Sequence, residues 1–292
     1  MSINSAHLRI GALSRRVGVS PDLLRAWERR YGLLQPIRSQ GGFRLYSPAD
    51  EERVRVMRRH LDAGVSAAEA ARLALSTTPR ESEANTRFTD LERSSTELGA
   101  ALDRLDETGA QASFDRLLAS FMPETVLRDV VLPYLHALGE RWERGEATVA
   151  QEHFASNVLR GRLLGLARGW GRGTGPKALL ACAPGELHDL SLIIFGLVLA
   201  RRGWLITYLG PDTPISTIQE ALSNVTPSLV VIAAVTQQRL RAVQPQLTEL
   251  ARHVPVALAG PGATAALARV TGAVVLQGDP VTAAERVADE HR

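Results

Sequence analysis

The sequence predicts a multidomain α plus α/β chain: a small basic helical head, then a bundle of about four helices, then a doubly wound parallel sheet. Three observations carry this. Hydrophobic spacing changes along the chain, from short helical patterns broken by Gly and Pro (Leu8 to Leu75), through three- and four-residue spacing (Phe88 to Trp170), to apolar runs of four to eight residues alternating with helical stretches. Charge is divided unevenly: residues 1–80 hold 14 Arg and no Lys against 7 Asp plus Glu, or +7, while residues 81–292 hold 20 basic and 24 acidic residues, or −4. Two joints separate the blocks, Ser76 to Ala84 with its Thr-Thr-Pro, and the Gly-rich Gly169 to Pro176. The expected domains are therefore 1–78, 85–170 and 176–292.

A chain of 292 residues with 45% apolar and 22% charged residues has enough apolar side chain for two or three cores, which excludes a disordered polymer. Its one cysteine, Cys182, forms no internal disulfide and points to a reducing cytoplasm. The longest apolar stretch, Leu190 to Ala200, is about half the length that crosses a bilayer, and Met1 to Arg9 has no signal-peptide core, so a cytoplasmic protein without membrane contact is expected. Basic residues number 33 Arg to one Lys, Lys177, so part of the excess Arg reflects base composition.

In the head, Ile10, Leu13, Val17 and Val19 bracket a first helix ending at Gly18. Ser20-Pro21-Asp22 starts a second, with Ser as N-cap and Pro at the first position. Leu23, Leu24 and Trp27 form its apolar side and Arg25, Arg29 and Arg30 lie elsewhere. Gly41-Gly42 then makes a tight turn between two short strands that leaves Arg38, Arg44 and Tyr46 on an exposed ribbon. Helix, helix and wing in this order form a winged helix-turn-helix, with one helix for a major groove and a ribbon for phosphates. The plainer alternative is a helical domain with a solvated basic face.

The apolar spacing of Leu91, Leu98, Leu102 and Leu105, then Leu117, Leu118 and Phe121, builds the bundle. Trp142 and the pair Glu152-His153 could line one face of a pocket there, or Trp142 could be bundle core. Strands are expected at Ala178–Ala181, Leu205–Leu209, Leu229–Val235, Val256–Ala259 and Val274–Leu276, joined by right-handed crossovers. The segment Ala183-Pro-Gly-Glu-Leu-His-Asp-Leu-Ser191 follows the first of them, where ligands bind in an open parallel sheet. His188 is a candidate metal ligand, its second ring nitrogen held by Glu186 or Asp189; the bland alternative is a surface or capping histidine. Gly260-Pro-Gly262 could cradle a phosphate-like group or be an ordinary turn.

Arg25-Ala-Trp-Glu-Arg-Arg-Tyr-Gly32 followed by Gly-Gly-Phe-Arg-Leu-Tyr46 resembles the MerR family of DNA-binding regulators, in the branch that includes the CarA, CarH and LitR repressors. The resemblance implies that Arg25, Arg29, Arg30 and Tyr31 serve the recognition helix, and Arg38, Arg44 and Tyr46 the wing. Residues 88–292 are similar to that branch's cobalamin-binding half, a helical bundle above a flavodoxin-like domain. The pattern W-x9-E-H is met by Trp142, Glu152 and His153, and D/E-x-H-x-x-G by Glu186 and His188; Tyr208-Leu-Gly-Pro-Asp-Thr-Pro214 matches the loop after the second strand. Four departures stand beside these matches: Ser191 replaces the motif's Gly, Ala233 a Ser after the third strand, Ala259-Gly260 a Gly pair, and Glu143 a second histidine.

The resemblance implies a light-responsive transcriptional regulator, a repressor, that binds adenosylcobalamin with His188 on cobalt, Asp189 beside it, and Trp142, Glu152 and His153 over the upper face. Its partners are double-stranded operator DNA and further copies of itself, as a dimer or tetramer, multivalency converting cofactor occupancy into operator affinity. The departures favour, as a rival, a pocket for another tetrapyrrole, bilin or heme, or an empty one. An enzyme of methyl or radical transfer is disfavoured: no nucleophile set is present, and Cys182 reads as core.

Overall fold

The computed structural model describes residues 8–38, 43–76, 79–172 and 174–291, with residues 79–88 described by backbone alone. They divide into two units, Met1–Glu92 and Arg93–Arg292.

The first unit opens with α1 (Ile10–Val17), stopped by Gly18 at φ +64°. That left-handed conformation is cheap only for glycine. Ser20 accepts a hydrogen bond from the Leu23 amide at 3.3 Å and starts α2 (Pro21–Tyr31) with Pro at its first turn, as expected. Strands β1 (Ile37–Arg38) and β2 (Arg44–Leu45) pair antiparallel; the expected Gly41-Gly42 turn lies outside the described residues. Helix α3 (Pro48–Asp62) begins with a capping box of Ser47 and Asp50, and α4 (Ala67–Ser76) follows. Leu13, Leu24, Trp27, Leu33, Val54 and Met57 fill the core between them.

The Ser76 to Ala84 joint takes a different form. Helix α5 (Pro79–Asp103) begins inside it, so the proline read as a break marks a helix start, where its missing N–H costs nothing. Next come α6 (Glu107–Ser120), α7 (Pro123–Val126), a π-turn at Leu127–Val131, α8 (Leu132–Glu143), α9 (Val149–Leu166) and a 3-10 turn at Ala167–Gly169. The π-turn directly precedes Pro133, whose lack of an amide hydrogen removes a regular α-helical bond.

Beyond it, β3 (Lys177–Cys182), α10 (Leu190–Arg201), β4 (Leu205–Gly210), α11 (Ile215–Val225), β5 (Leu229–Ala233), α12 (Gln237–Ala242), α13 (Gln244–Ala251), β6 (Val256–Ala259), α14 (Ala265–Thr271), β7 (Val274–Val275) and α15 (Pro280–Glu290) alternate. Each expected strand is present to within two residues at either end. The strands are parallel in the order β4-β3-β5-β6-β7. This is the doubly wound arrangement, with the strand order reversing at β3. The loop after β3, which carries His188, therefore leaves the sheet at the switch point.

Candidate functional site

In the head, Arg25, Arg29, Arg30, Arg38 and Arg44 are exposed and Tyr31 is half-buried. Arg25 pairs with Asp22 at 3.0 Å, and Arg30 lies over the Tyr31 ring. Among the described residues Arg29 and Arg38 make no ion pair, so both guanidiniums are open to an anion. The wing is tied to α2 by Glu28: Arg44 Nε donates to it at 3.0 Å and the Tyr46 hydroxyl at 2.9 Å.

Tyr46 corrects the expectation of an exposed ribbon. It is fully buried, its backbone pairs with Leu8, and burial followed by the Glu28 hydrogen bond pushes its hydroxyl up to about 12. A phenol ring this close to Leu13 and Trp27 is worth more in the core than in water, so Tyr46 braces the wing from beneath.

In the second unit, Glu186 is fully buried at the carboxyl end of β3 and its two oxygens divide the work. Oε1 accepts from the His188 amide at 3.0 Å and meets His188 Nδ1 at 2.6 Å; Oε2 accepts from the Val235 amide at 2.7 Å and Arg239 Nη1 at 2.5 Å. Burial alone would raise this carboxyl, but the backbone bonds from His188 and Val235, then the side chains of His188 and Arg239, bring it down to about 2. An ionised carboxylate at Nδ1 selects the tautomer with its proton there. That leaves Nε2 as a lone pair on a ring whose side chain is 68% exposed. Among the described residues Nε2 has no partner, and no three metal-ligating groups converge. This donor suits a borderline metal that brings its other ligands with it.

Asp189, expected as an alternative holder of the ring, is taken up elsewhere. It is buried and binds Arg160 of α9, through Nε at 2.8 Å and Nη2 at 2.7 Å, together with the Tyr208 hydroxyl of β4. Glu152, also on α9, accepts from Ser156 at 2.8 Å and meets His153 at 2.5 Å. Against its partial burial, the hydrogen bonds of His153 and then Ser156 hold it below the ordinary carboxylate value. Trp142 and Glu143 stand exposed at the end of α8, so Trp142 is not bundle core. Their neighbours are joined: Asp103 accepts two bonds from Arg141, at 2.8 and 2.9 Å, one from Tyr134 at 2.9 Å, and its carbonyl accepts from Gln151 at 2.9 Å.

Ser191 is exposed in the first turn of α10, and Ala233 closes β5. Gly260 has φ +85°, and a Cβ there would stand 2.6 Å from the Ala234 carbonyl; one on Gly262 would meet Thr236 at the same distance. These glycines let the loops after β5 and β6 touch, a packing reason sufficient in itself. Burial, then the charges of Asp189 and Glu186, pushes the Cys182 thiol up to about 12, which leaves it inert. Sequence reading assigned nothing to Arg160, Arg239, Asp103 or Arg141. Only Arg160 carried a signal, standing eight residues after Glu152 on one helix stripe.

Residues 8–77 match the MerR HTH family regulatory proteins, and residues 95–164 match the B12 binding domain. A solved structure, the monomethylamine corrinoid protein of Methanosarcina barkeri, superposes with TM-score 0.55 at 18% identity over 66% of this chain and 96% of its own, a likeness of fold. The HTH-type transcriptional repressor CarA of Myxococcus xanthus is 33% identical over 270 residues, 88% of this chain and 87% of its own. The HTH-type transcriptional repressor CarH of the same organism is 32% identical over 256 residues, 85% of each chain. Similarity of that extent runs through head, bundle and sheet alike, and with it the chain belongs to the CarH and CarA family of MerR-type transcriptional repressors.

Proposed function

We propose that the protein is a cobalamin-binding, light-responsive transcriptional repressor. The observation that carries this is the His188 ring, its Nδ1 held by a buried ionised Glu186 and its Nε2 free. His188 would ligate cobalt through Nε2, with Glu186 and Arg239 keeping its ring oriented, and Trp142, Glu152 and His153 would enclose the bound corrin. Glu143, Ser191, Ala233 and Gly260 line the positions around the ring and its tail, and Asp189 fixes the neighbouring seam. Adenosylcobalamin, when bound, supplies a cobalt–carbon bond that light breaks. The exposed Trp142 and Leu187 and the partly covered Glu152 supply apolar and polar surface for a large flat ligand.

In the head, Arg29 and Arg38 neutralise phosphates of double-stranded operator DNA, with Arg25, Arg30, Tyr31 and Arg44 as further contacts from α2 and the wing. A single small head binds weakly, so an assembly of two or four copies multiplies operator affinity through effective concentration. The function is regulation and involves no catalysis, and the protein works in the cytoplasm.

The test is purification after incubation with adenosylcobalamin in darkness, followed by absorbance and size-exclusion elution before and after illumination. A retained corrin spectrum that changes with light, together with a change in assembly size, is the expected result. Absence of retained corrin overturns the reading; a heme or bilin retained in its place redirects it to another tetrapyrrole, in keeping with Ser191, Ala233 and Glu143.

A further inference from the structure

Two buried carboxylates flank His188 in sequence, and each has its own arginine. Glu186 takes Arg239 from α12 on the sheet side, whereas Asp189 takes Arg160 from α9 of the bundle. The first bond orients the histidine ring. The second joins the residue directly after that ring to the helix that carries Glu152.

Asp189 stands at the N-cap of α10, where an aspartate ordinarily accepts an amide of the first turn, yet its side chain makes no capping bond. Its carboxylate, side chain 4% exposed, is spent on the Arg160 guanidinium and the Tyr208 hydroxyl. A guanidinium that meets a carboxylate through both Nε and Nη2 fixes orientation as well as distance, which a lysine cannot do. Tyr208 is in turn seated edge-on against Trp170 at 5.7 Å, and Trp170 lies on Gly196 of α10, where a Cβ would come within 3.0 Å of the indole. The anchor thus rests on packed aromatic surface.

On α9, Glu152, Ser156 and Arg160 recur every four residues and share one face. The helix starts in a capping box of Thr148 and Gln151, and Gln151 is tied to the Asp103 carbonyl. It is therefore held at its beginning by Asp103 and two turns beyond Glu152 by Asp189, with Glu152 between the two points.

We propose that Arg160, Asp189 and Tyr208 are positioning residues, a clamp that ties α9 to the residue following His188 and thereby sets the rate at which a corrin escapes. The proposal rests on the cobalamin reading above. None of the three residues ligates cobalt; they act by holding α9 to the loop that carries His188. Losing the clamp leaves the Glu186-held ring intact and frees α9 from that loop.

The test uses the full chain loaded with adenosylcobalamin in darkness, as wild type, Arg160→Met, Arg160→Lys and Tyr208→Phe. Three quantities are read: the corrin dissociation rate, the absorbance signature of the histidine-ligated cobalt, and the melting temperature of the corrin-free protein. Arg160→Met is expected to release corrin about tenfold faster, with the histidine-ligated spectrum retained before release, and Arg160→Lys to recover part of the loss. Tyr208→Phe, which keeps the ring on Trp170, is expected to speed release about threefold. Rates within about twofold of wild type for Arg160→Met overturn the clamp, as does faster release accompanied by loss of the histidine-ligated spectrum. A lowered melting temperature with unchanged release marks a merely structural seam and also overturns it. If Arg160→Met does not fold, Arg160→Lys and Tyr208→Phe decide by the same rate criterion. Wild-type protein that retains no corrin sinks the cobalamin reading itself and takes the clamp with it, an outcome distinct from retained corrin with unaltered rates.

Discussion

Arg44 and Glu28 meet in the head across 16 residues at 3.0 Å, with side chains 47% and 15% exposed. Arg239 and Glu186 meet beside His188 across 53 residues at 2.5 Å, the carboxylate fully buried. In α2 and the wing the arginines face water, pair at 3.0 Å or make no ion pair among the described residues, and can exchange a nearby carboxylate for a phosphate at little cost. Beside His188 the carboxylates of Glu186 and Asp189 are withdrawn from water, and their partners cannot leave without stranding a buried charge. The head's pairs serve availability; those around His188 serve orientation.

Asp50 is the place where the contrast is incomplete. It is a fully buried carboxylate in the head, holding the Gln35 amide at 2.7 Å, the Ser47 amide and hydroxyl at 2.8 Å, and Arg53 at 2.5 Å. Its role is architectural: it closes the α3 capping box and pins the turn after α2.

Five substitutions break or sharpen the comparison. The largest effect is expected from His188→Ala, which abolishes tight corrin retention and leaves DNA binding by the head unchanged in a gel-shift assay; unaltered retention removes His188 from the site. Glu186→Gln keeps size but loses the ionised acceptor, and corrin affinity falls about 10- to 100-fold by equilibrium dialysis. Glu186 also carries a pH signature. Its folded value of about 2 lies below the ordinary 4.5, so its stabilisation is complete above 4.5 and is lost as pH falls from there toward 2. Acid melts of the wild type should show that loss, and Glu186→Gln should flatten it. Asp50→Ala strands Arg53 and three donors and destabilises the head by about 3 kcal/mol in urea unfolding.

Smaller effects belong to the exposed side. Arg29→Ala weakens binding to all DNA sequences and lowers the slope of log affinity against log salt by about 0.9, the release expected for one phosphate contact. A slope equal to wild type removes Arg29 from the phosphate contacts. Tyr46→Phe deletes only the bond to Glu28 and costs the head about 1 kcal/mol of stability. A weakened DNA affinity without that stability loss would restore Tyr46 to the interface.

Much of the head was legible because its determinants are local. Gly18, Ser20 and Pro21 mark their helix ends through contacts within four residues, and the charge excess needs no fold to be counted. What failed there was Tyr46: alternation along a two-residue strand does not say which face has a core beneath it. In the second unit the strands and the place of His188 followed from periodicity and the crossover rule, while Glu186 and Asp189 stood as alternatives beside it.

The sequence alone determined a basic head, a parallel sheet, and a histidine with acids on either side at its switch point, since each of these rests on composition or on near-neighbour spacing. Only the tertiary structure decided which acid holds the ring and which holds the bundle. Glu186 and Asp189 stand two residues before and one residue after His188, both within local reach of it, and they are told apart by Arg239 and Arg160, brought in from 53 and 29 residues away. A buried charge takes the partner that folding delivers, and that delivery is written in the packing of whole elements, beyond the reach of any local pattern.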